Sequence, residues 1–228
     1  MTERRTLSYV IVGLAVVAVG LTVVWWRRDS SPSSTTTTNT ASAQVTDEVR
    51  RVAAFADVQP QRPRDERIVL FGDSLTTSNT ATVERRVKEA FGQTPELITT
   101  NQGTSILALT GLIPVVESPP RVLIVDITRY DGANDITMDH TLANLALIKQ
   151  KADQIGTTFV VVLGPSSDNN LNHAAALKAG ISSDILTIDA TDLMMTTRYR
   201  ESLQVLNEAG MGELGGRLIE TLKPLLTT

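Results

Sequence analysis

The sequence predicts an α/β domain in three layers, a five-stranded parallel sheet with helices on both faces, behind one N-terminal transmembrane helix. Three observations lead there. Short apolar runs without polar alternation recur between segments of helical spacing, the pattern of a parallel sheet covered on both sides. The chain has 228 residues, 42% apolar and 20% charged, enough for one domain of ordinary size with appendages. Residues 7–26 carry no charge at all.

That run, LSYVIVGLAVVAVGLTVVWW, is long enough as a helix to span a hydrocarbon core of ~30 Å. Arg4 and Arg5 precede it, Arg27 and Arg28 follow it, and Trp25 and Trp26 sit where an interfacial aromatic belt falls. A cleaved signal peptide is the alternative. Its apolar stretch should be shorter, with a small-residue site close behind, whereas Ala41-Ser42-Ala43 lies well downstream. The arginine pairs nearly cancel, so charge does not set orientation. The short tail 1–6 and the Ser/Thr-rich stretch after the helix fit a tail inside and a domain outside the membrane. The expected organisation is therefore tail 1–6, anchor 7–26, linker with a short helix 27–63, and folded domain 64–228.

The elements follow in order. Residues 29–43 are mostly serine and threonine, have no apolar periodicity and are expected to be a disordered spacer. Val45, Val49, Val52 and Phe55 stand at helical spacing, predicting a short amphipathic helix over 45–58. Pro60 and Pro63 mark where the domain begins. Strands are predicted at 68–71, 96–100, 121–127, 158–163 and 184–188. Helices are predicted at 80–91, 139–155, 170–179 and 207–226, the last with Asn207 as N-cap. Residues 105–116 are apolar and mixed, broken by Pro114.

Composition narrows the chemistry. A net charge of −4 provides no basic patch for nucleic acid. The absence of cysteine removes disulfides, thiolate metal sites and cysteine nucleophiles, and two histidines leave little for a histidine metal site. No metal or organic cofactor is implied. In a doubly wound sheet, sites form at the carboxyl ends of strands. The first strand ends in Phe71-Gly72-Asp73-Ser74-Leu75-Thr76. A serine on a tight strand-to-helix turn is placed for nucleophilic attack, with its own N–H near a helix N-terminus facing a developing oxyanion. The same residues also make an ordinary helix cap.

Residues 67–76 resemble the first block of the SGNH/GDSL hydrolases, and the likeness extends over most of Arg67–Leu226. The resemblance implies a flavodoxin-like parallel sheet with Ser74 as nucleophile. In that family a second-block glycine N–H and a third-block asparagine amide complete the oxyanion hole. Asn101-Gln102-Gly103-Thr104-Ser105 matches the second block and assigns the Gly103 N–H, although Ile106 stands where a second glycine is usual. Gly132-Ala133-Asn134-Asp135 matches the third block and assigns Asn134. By distance from its strand, however, Thr128-Arg129-Tyr130-Asp131 fills that slot, which would put Tyr130 in the asparagine's place.

The fifth block departs from the family. Leu206-Asn207-Glu208-Ala209-Gly210 resembles the Leu-Asn-x-x-Gly that opens the last helix. On that register the family's Asp-x-x-His falls on Ser202 and Val205, and valine moves no proton. His173, after the fourth strand, is a better substitute than His140, and both read first as surface histidines. Asp131, Asp135 and Glu208 are read as exposed carboxylates, too acidic to be efficient bases. Two functions follow. One is a membrane-anchored, extracytoplasmic ester hydrolase or acyltransferase acting on O-acetylated glycans or lipid esters. The other is a pseudoenzyme that binds a cell-envelope glycan or protein.

Overall fold

The computed structural model describes residues 36–72, 79–100, 104–126, 131, 134, 136–164, 171–193, 195–201 and 206–226. The apolar segment 7–26 lies outside them, and among the described residues no helix is long and apolar enough to cross a membrane. Residues 1–45 and 46–228 are separate compact units. Of the first, only helical residues from 36 onward are described.

Helix α1 runs Thr36–Asp57. It starts ahead of the predicted 45, so residues 36–43 extend a helix instead of forming spacer. Once the amphipathic turns are nucleated, each added residue gains a hydrogen bond at little cost. Within the second unit, Phe55 of α1 is 1% exposed. The α1 C-terminus is held by Lys151, whose Nζ donates to the Ala56 and Val58 carbonyls at 2.7 and 3.0 Å.

Five strands follow: β1 (Ile68–Gly72), β2 (Glu96–Thr99), β3 (Val122–Asp126), β4 (Thr158–Leu163) and β5 (Leu186–Asp189). All pairings are parallel, in the order β2-β1-β3-β4-β5. The expected five-stranded parallel sheet is present. The intervening helices are α2 (Thr80–Phe91), α3 (Ser105–Gly111), α4 (Ile113–Glu117), α5 (Met138–Gln154), α6 (Leu171–Gly180) and α7 (Glu208–Leu226). The apolar run 105–116 thus becomes two short helices, with Pro114 in the first turn of α4, where a missing N–H costs nothing.

Alternation along the strands builds two cores. Val69, Phe71, Leu123, Val125, Val161 and Leu163 face α3, α4, α5 and α6. Ile68, Leu70, Val122, Ile124, Val160 and Val162 face Val83 and Val87 of α2 and Met211, Leu214 and Leu218 of α7. Strands buried on both faces explain the near-continuous apolar runs. The strand order reverses direction beside β1, so the crevice between the carboxyl ends of β1 and β3 is where a ligand site belongs in this topology.

Candidate active site at the carboxyl edge of β1 and β3

The edge is built around Gly72. It pairs with Asp126 across the β1–β3 ladder, and its φ is +149°. A Cβ at this position would stand 2.2 Å from the Asp126 carbonyl oxygen. Glycine is required both by the backbone angle and by the neighbouring strand. The Thr100 N–H donates to the Gly72 carbonyl at 3.1 Å, which ties the end of β2 to the same point.

Residues 73–78, with Ser74, lie outside the described residues, as do Gly103, Tyr130, Asp135, Ser202 and Val205. Residues that flank them in the sequence are described. The chain after Ser74 is described again at Asn79, in the left-handed conformation at φ 53°, which asparagine tolerates. Its Nδ2 donates to the Leu206 carbonyl at 3.0 Å. The start of α2 is therefore fastened to the residue directly after Val205. At the other end, Asn207 caps α7 as expected: its Oδ1 accepts from the Gly210 N–H at 2.9 Å. A Cβ at Gly210 would lie 2.2 Å from the Tyr199 carbonyl oxygen. The Leu-Asn-x-x-Gly pattern thus has a local cause in a cap and a close backbone approach.

Asp126 ends β3 and is 1% exposed. Val122 and Ile124 face the α2–α7 core, so strand alternation puts the Asp126 side chain on that same face. Gly164, just past β4, leaves room for it, since a Cβ there would stand 2.8 Å from Asp126 Oδ1. Sequence reading missed Asp126. Its signal was a carboxylate closing an otherwise apolar strand, RVLIVDI.

Asp131 departs from the expectation of an exposed carboxylate. It is fully buried. Its Oδ1 accepts from the Ser105 N–H at 2.7 Å and its Oδ2 from the Thr141 hydroxyl at 2.6 Å. Its carbonyl accepts from the N–H groups of Asn134 and Ile136 at 3.1 and 3.0 Å. Asn134 is exposed, one turn beyond. Glu208 is exposed, with its nearest cation, Arg85, 3.8 Å away.

The two histidines lie on different helices. His140, in the first turn of α5, has Nδ1 4.0 Å from Glu48 of α1. His173, in the first turn of α6, is half-buried, and its enclosed Nε2 has no hydrogen-bond partner among the described residues. The carboxylates at the end of β5 and just past it are occupied. Asp189 is partly desolvated, yet its bonds from Lys178 and Thr191 hold it below the ordinary carboxylate range. A bidentate contact from Arg217 does the same for Asp192. Among the described residues no group of His, Cys, Asp or Glu side chains could hold a metal ion.

No family model and no curated protein matches the sequence. Solved structures do match its fold. A GDSL-like lipase from Bacteroides thetaiotaomicron aligns with a TM-score of 0.60 at 15% identity, over 78% of this chain and 98% of its own. A psychrotrophic esterase from Pseudoalteromonas sp., in a form inhibited by monoethylphosphonate, aligns at 0.58 and 12%, over 72% and 100%. A lipase/acylhydrolase from Enterococcus faecalis aligns at 0.52 and 17%, over 71% and 97%. Parallel sheet, strand order and these alignments converge on one conclusion: the domain has the fold of the SGNH/GDSL hydrolases.

Proposed function

We propose that this protein is a divergent SGNH/GDSL-type ester hydrolase or acyltransferase, anchored to the membrane by residues 7–26 with its domain outside. The observation that carries this reading is Gly72, which ends β1 at the switch point of the sheet where no side chain fits, and which Asp73-Ser74-Leu75 follow in the sequence. In this reading the Ser74 hydroxyl oxygen bonds to the acyl carbon of an ester and gives up its proton. The N–H groups of Ser74 and Gly103 and the Asn134 amide hold the tetrahedral oxyanion. The alcohol leaves with a proton, and water or a sugar hydroxyl then takes the acyl group from the serine. Substrates are O-acetylated envelope glycans or lipid esters, consistent with the anchor. With Ser202 and Val205 in the slots of the missing pair, water receives the serine proton and turnover is slow. A triad lacking a member keeps ~10³–10⁴ over the uncatalysed rate.

The same two residues favour a second reading, in which the domain binds an envelope glycan or protein without turnover. Hydrolysis of p-nitrophenyl acetate by the full chain in detergent micelles decides between them. Slow turnover abolished by Ser74→Ala is the expected result. Identical rates in both proteins would leave only the binding module.

A further inference from the structure

The chain enters the compact unit 46–228 at the carboxyl edge of the sheet. Helix α5 ends at Gln154, just ahead of β4 at Thr158, so its last turns lie at the amino edge and its first turns at the carboxyl edge. Lys151, in those last turns, holds the Ala56 and Val58 carbonyls at 2.7 and 3.0 Å. At the other end, Glu48 of α1 stands 4.0 Å from His140 in the first turn of α5. Residues 46–57 of α1 therefore run beside α5 in the same direction, and residues 46–49 lie towards the carboxyl edge. Helix α3 starts at that edge too, since the Ser105 hydroxyl accepts from Asn144 of α5 at 2.9 Å. Arg51 joins α1 to α3 by donating to the Thr110 hydroxyl at 3.2 Å.

Among the described residues four large apolar side chains are exposed: Val49 at 47%, Leu107 at 44%, Leu186 at 38% and Met195 at 58%. Three of them are on the carboxyl side. Val49 follows Glu48, Leu107 is one turn nearer the edge than Thr110, and Met195 stands in the connection from the end of β5 to α7. Leu186 opens β5 at the other edge. Apolar side chains scattered singly need no partner. These three share the side at which the chain arrives from the apolar run 7–26, the side on which β1 and β3 end at Gly72 and Asp126.

We propose that the carboxyl edge of the sheet rests on a phospholipid bilayer, with Val49, Leu107 and Met195 dipping into its interface. The inference rests on the anchored reading given above and does not depend on turnover at Ser74. Residues 27–45 join the apolar run to the point of entry, and at ~3.4 Å per residue they reach at most about 65 Å. Such a tether keeps the domain beside the membrane without choosing the face that meets it. Exposed apolar area makes the choice, because burying it in the interface is favourable. A net charge of −4 opposes attraction to anionic lipid, so the contact is apolar and forms on a zwitterionic surface.

The chain contains no cysteine, so a nitroxide can be placed at one position at a time. Val49→Cys, Leu107→Cys and Met195→Cys, each spin-labelled, report on the carboxyl edge. Arg62→Cys reports on the opposite one, where the Arg62 N–H donates to the Glu117 carbonyl ahead of β3. All four positions are exposed, so a label is tolerated. The full chain is reconstituted in phosphatidylcholine vesicles, and collisions of each label with oxygen and with a water-soluble nickel chelate are compared. Labels at 49, 107 and 195 are expected ~5–10 Å into the headgroup boundary, with oxygen collisions dominant, and the label at 62 in water. Val49→Ser with Leu107→Ser should return the label at 195 towards its values in water. Edge labels as accessible to nickel as the label at 62 would overturn the proposal. So would protection from nickel without oxygen contact that disappears when the protein is diluted in lipid, because a second copy then covers the patch. A chain washed from the vesicles by alkaline carbonate would end the anchored reading and this inference with it. A chain that stays on the vesicles with its edge labels in water ends this inference alone.

Discussion

Gly72 is constrained from two directions. Its own φ of +149° disfavours a side chain, and the Asp126 carbonyl oxygen stands 2.2 Å from where a Cβ would be. Only the first constraint belongs to the local sequence, where a glycine before Asp-Ser-Leu reads as permission for a turn. The second comes from β3, distant along the chain, and becomes visible only with the register. Asp126 and Asp131 were hidden for the same reason. A carboxylate at a strand end or in a turn looks solvated until its neighbours are known, and Asp131 is fully buried. Gly156 supplies the contrast, with φ +71° and nothing within 4 Å of an added Cβ. Gly156→Ala should cost about 1 kcal/mol from backbone conformation alone. Gly72→Ala should cost about 3 kcal/mol or more, since overpacking against backbone adds to the conformational term. Denaturant midpoints of the two variants check this, and equal losses would refute the close approach.

Regular elements were legible where one physical signal dominated. Helix 80–91 agrees to the residue, with Val83 and Val87 buried as their spacing requires. The central strands β1, β3 and β4 agree closely, because burial on both faces leaves an unbroken apolar run. Edge strand β5 slipped from the predicted 184–188 to Leu186–Asp189, since half-exposed residues carry a weaker pattern. The short helical turn Thr197–Tyr199 was not anticipated. Its Tyr199 carbonyl both accepts from the Asn207 N–H at 2.9 Å and crowds Gly210. Element ends also depend on charge pairs without sequence periodicity. Arg217 of α7 clasps Asp192 through two bonds of 2.6 and 2.8 Å and reaches the Asp189 carbonyl at 2.6 Å. The hydrogen bonds from Arg217 hold the Asp192 carboxyl below its usual range. A carboxyl depressed in the folded state stabilises above its unfolded pKa of ~3.9 and loses that contribution as pH falls through the lower folded value. Asp192 is largely exposed, so the effect is under about 1 kcal/mol. Asp192→Asn should lower stability slightly at pH 7 and not at all near pH 2, which paired denaturation curves would reveal.

Across the whole molecule, the sheet separates two helical layers. The chain that follows Ser74 enters α2, and the chain that follows Val205 enters α7. Both helices pack on the same face, in one core with Val83, Val87 and Leu214. The Asn79–Leu206 bond of 3.0 Å joins their starting points. Helices α3 and α5, whose first turns bond to the buried Asp131 carboxylate, pack on the opposite face. The first block was readable from sequence because it begins at the end of β1. The register assigned to the last block rests on Asn207 and Gly210, which are demanded locally by a cap and a close contact. That register makes a gain of function the sharpest test of the arrangement. Val205→His with Ser202→Asp returns an imidazole and its orienting carboxylate to the segment fastened to α2. If those slots face Ser74, kcat for p-nitrophenyl acetate should rise by on the order of 100-fold or more, and Ser74→Ala should erase the gain. Val205→His alone should yield part of it, because an unoriented imidazole still accepts a proton. The rate should acquire a limb near pH 6.5, the ordinary histidine range, that the unsubstituted chain lacks. A folded double variant with neither faster turnover nor that limb would mean the segment before α7 does not reach the serine.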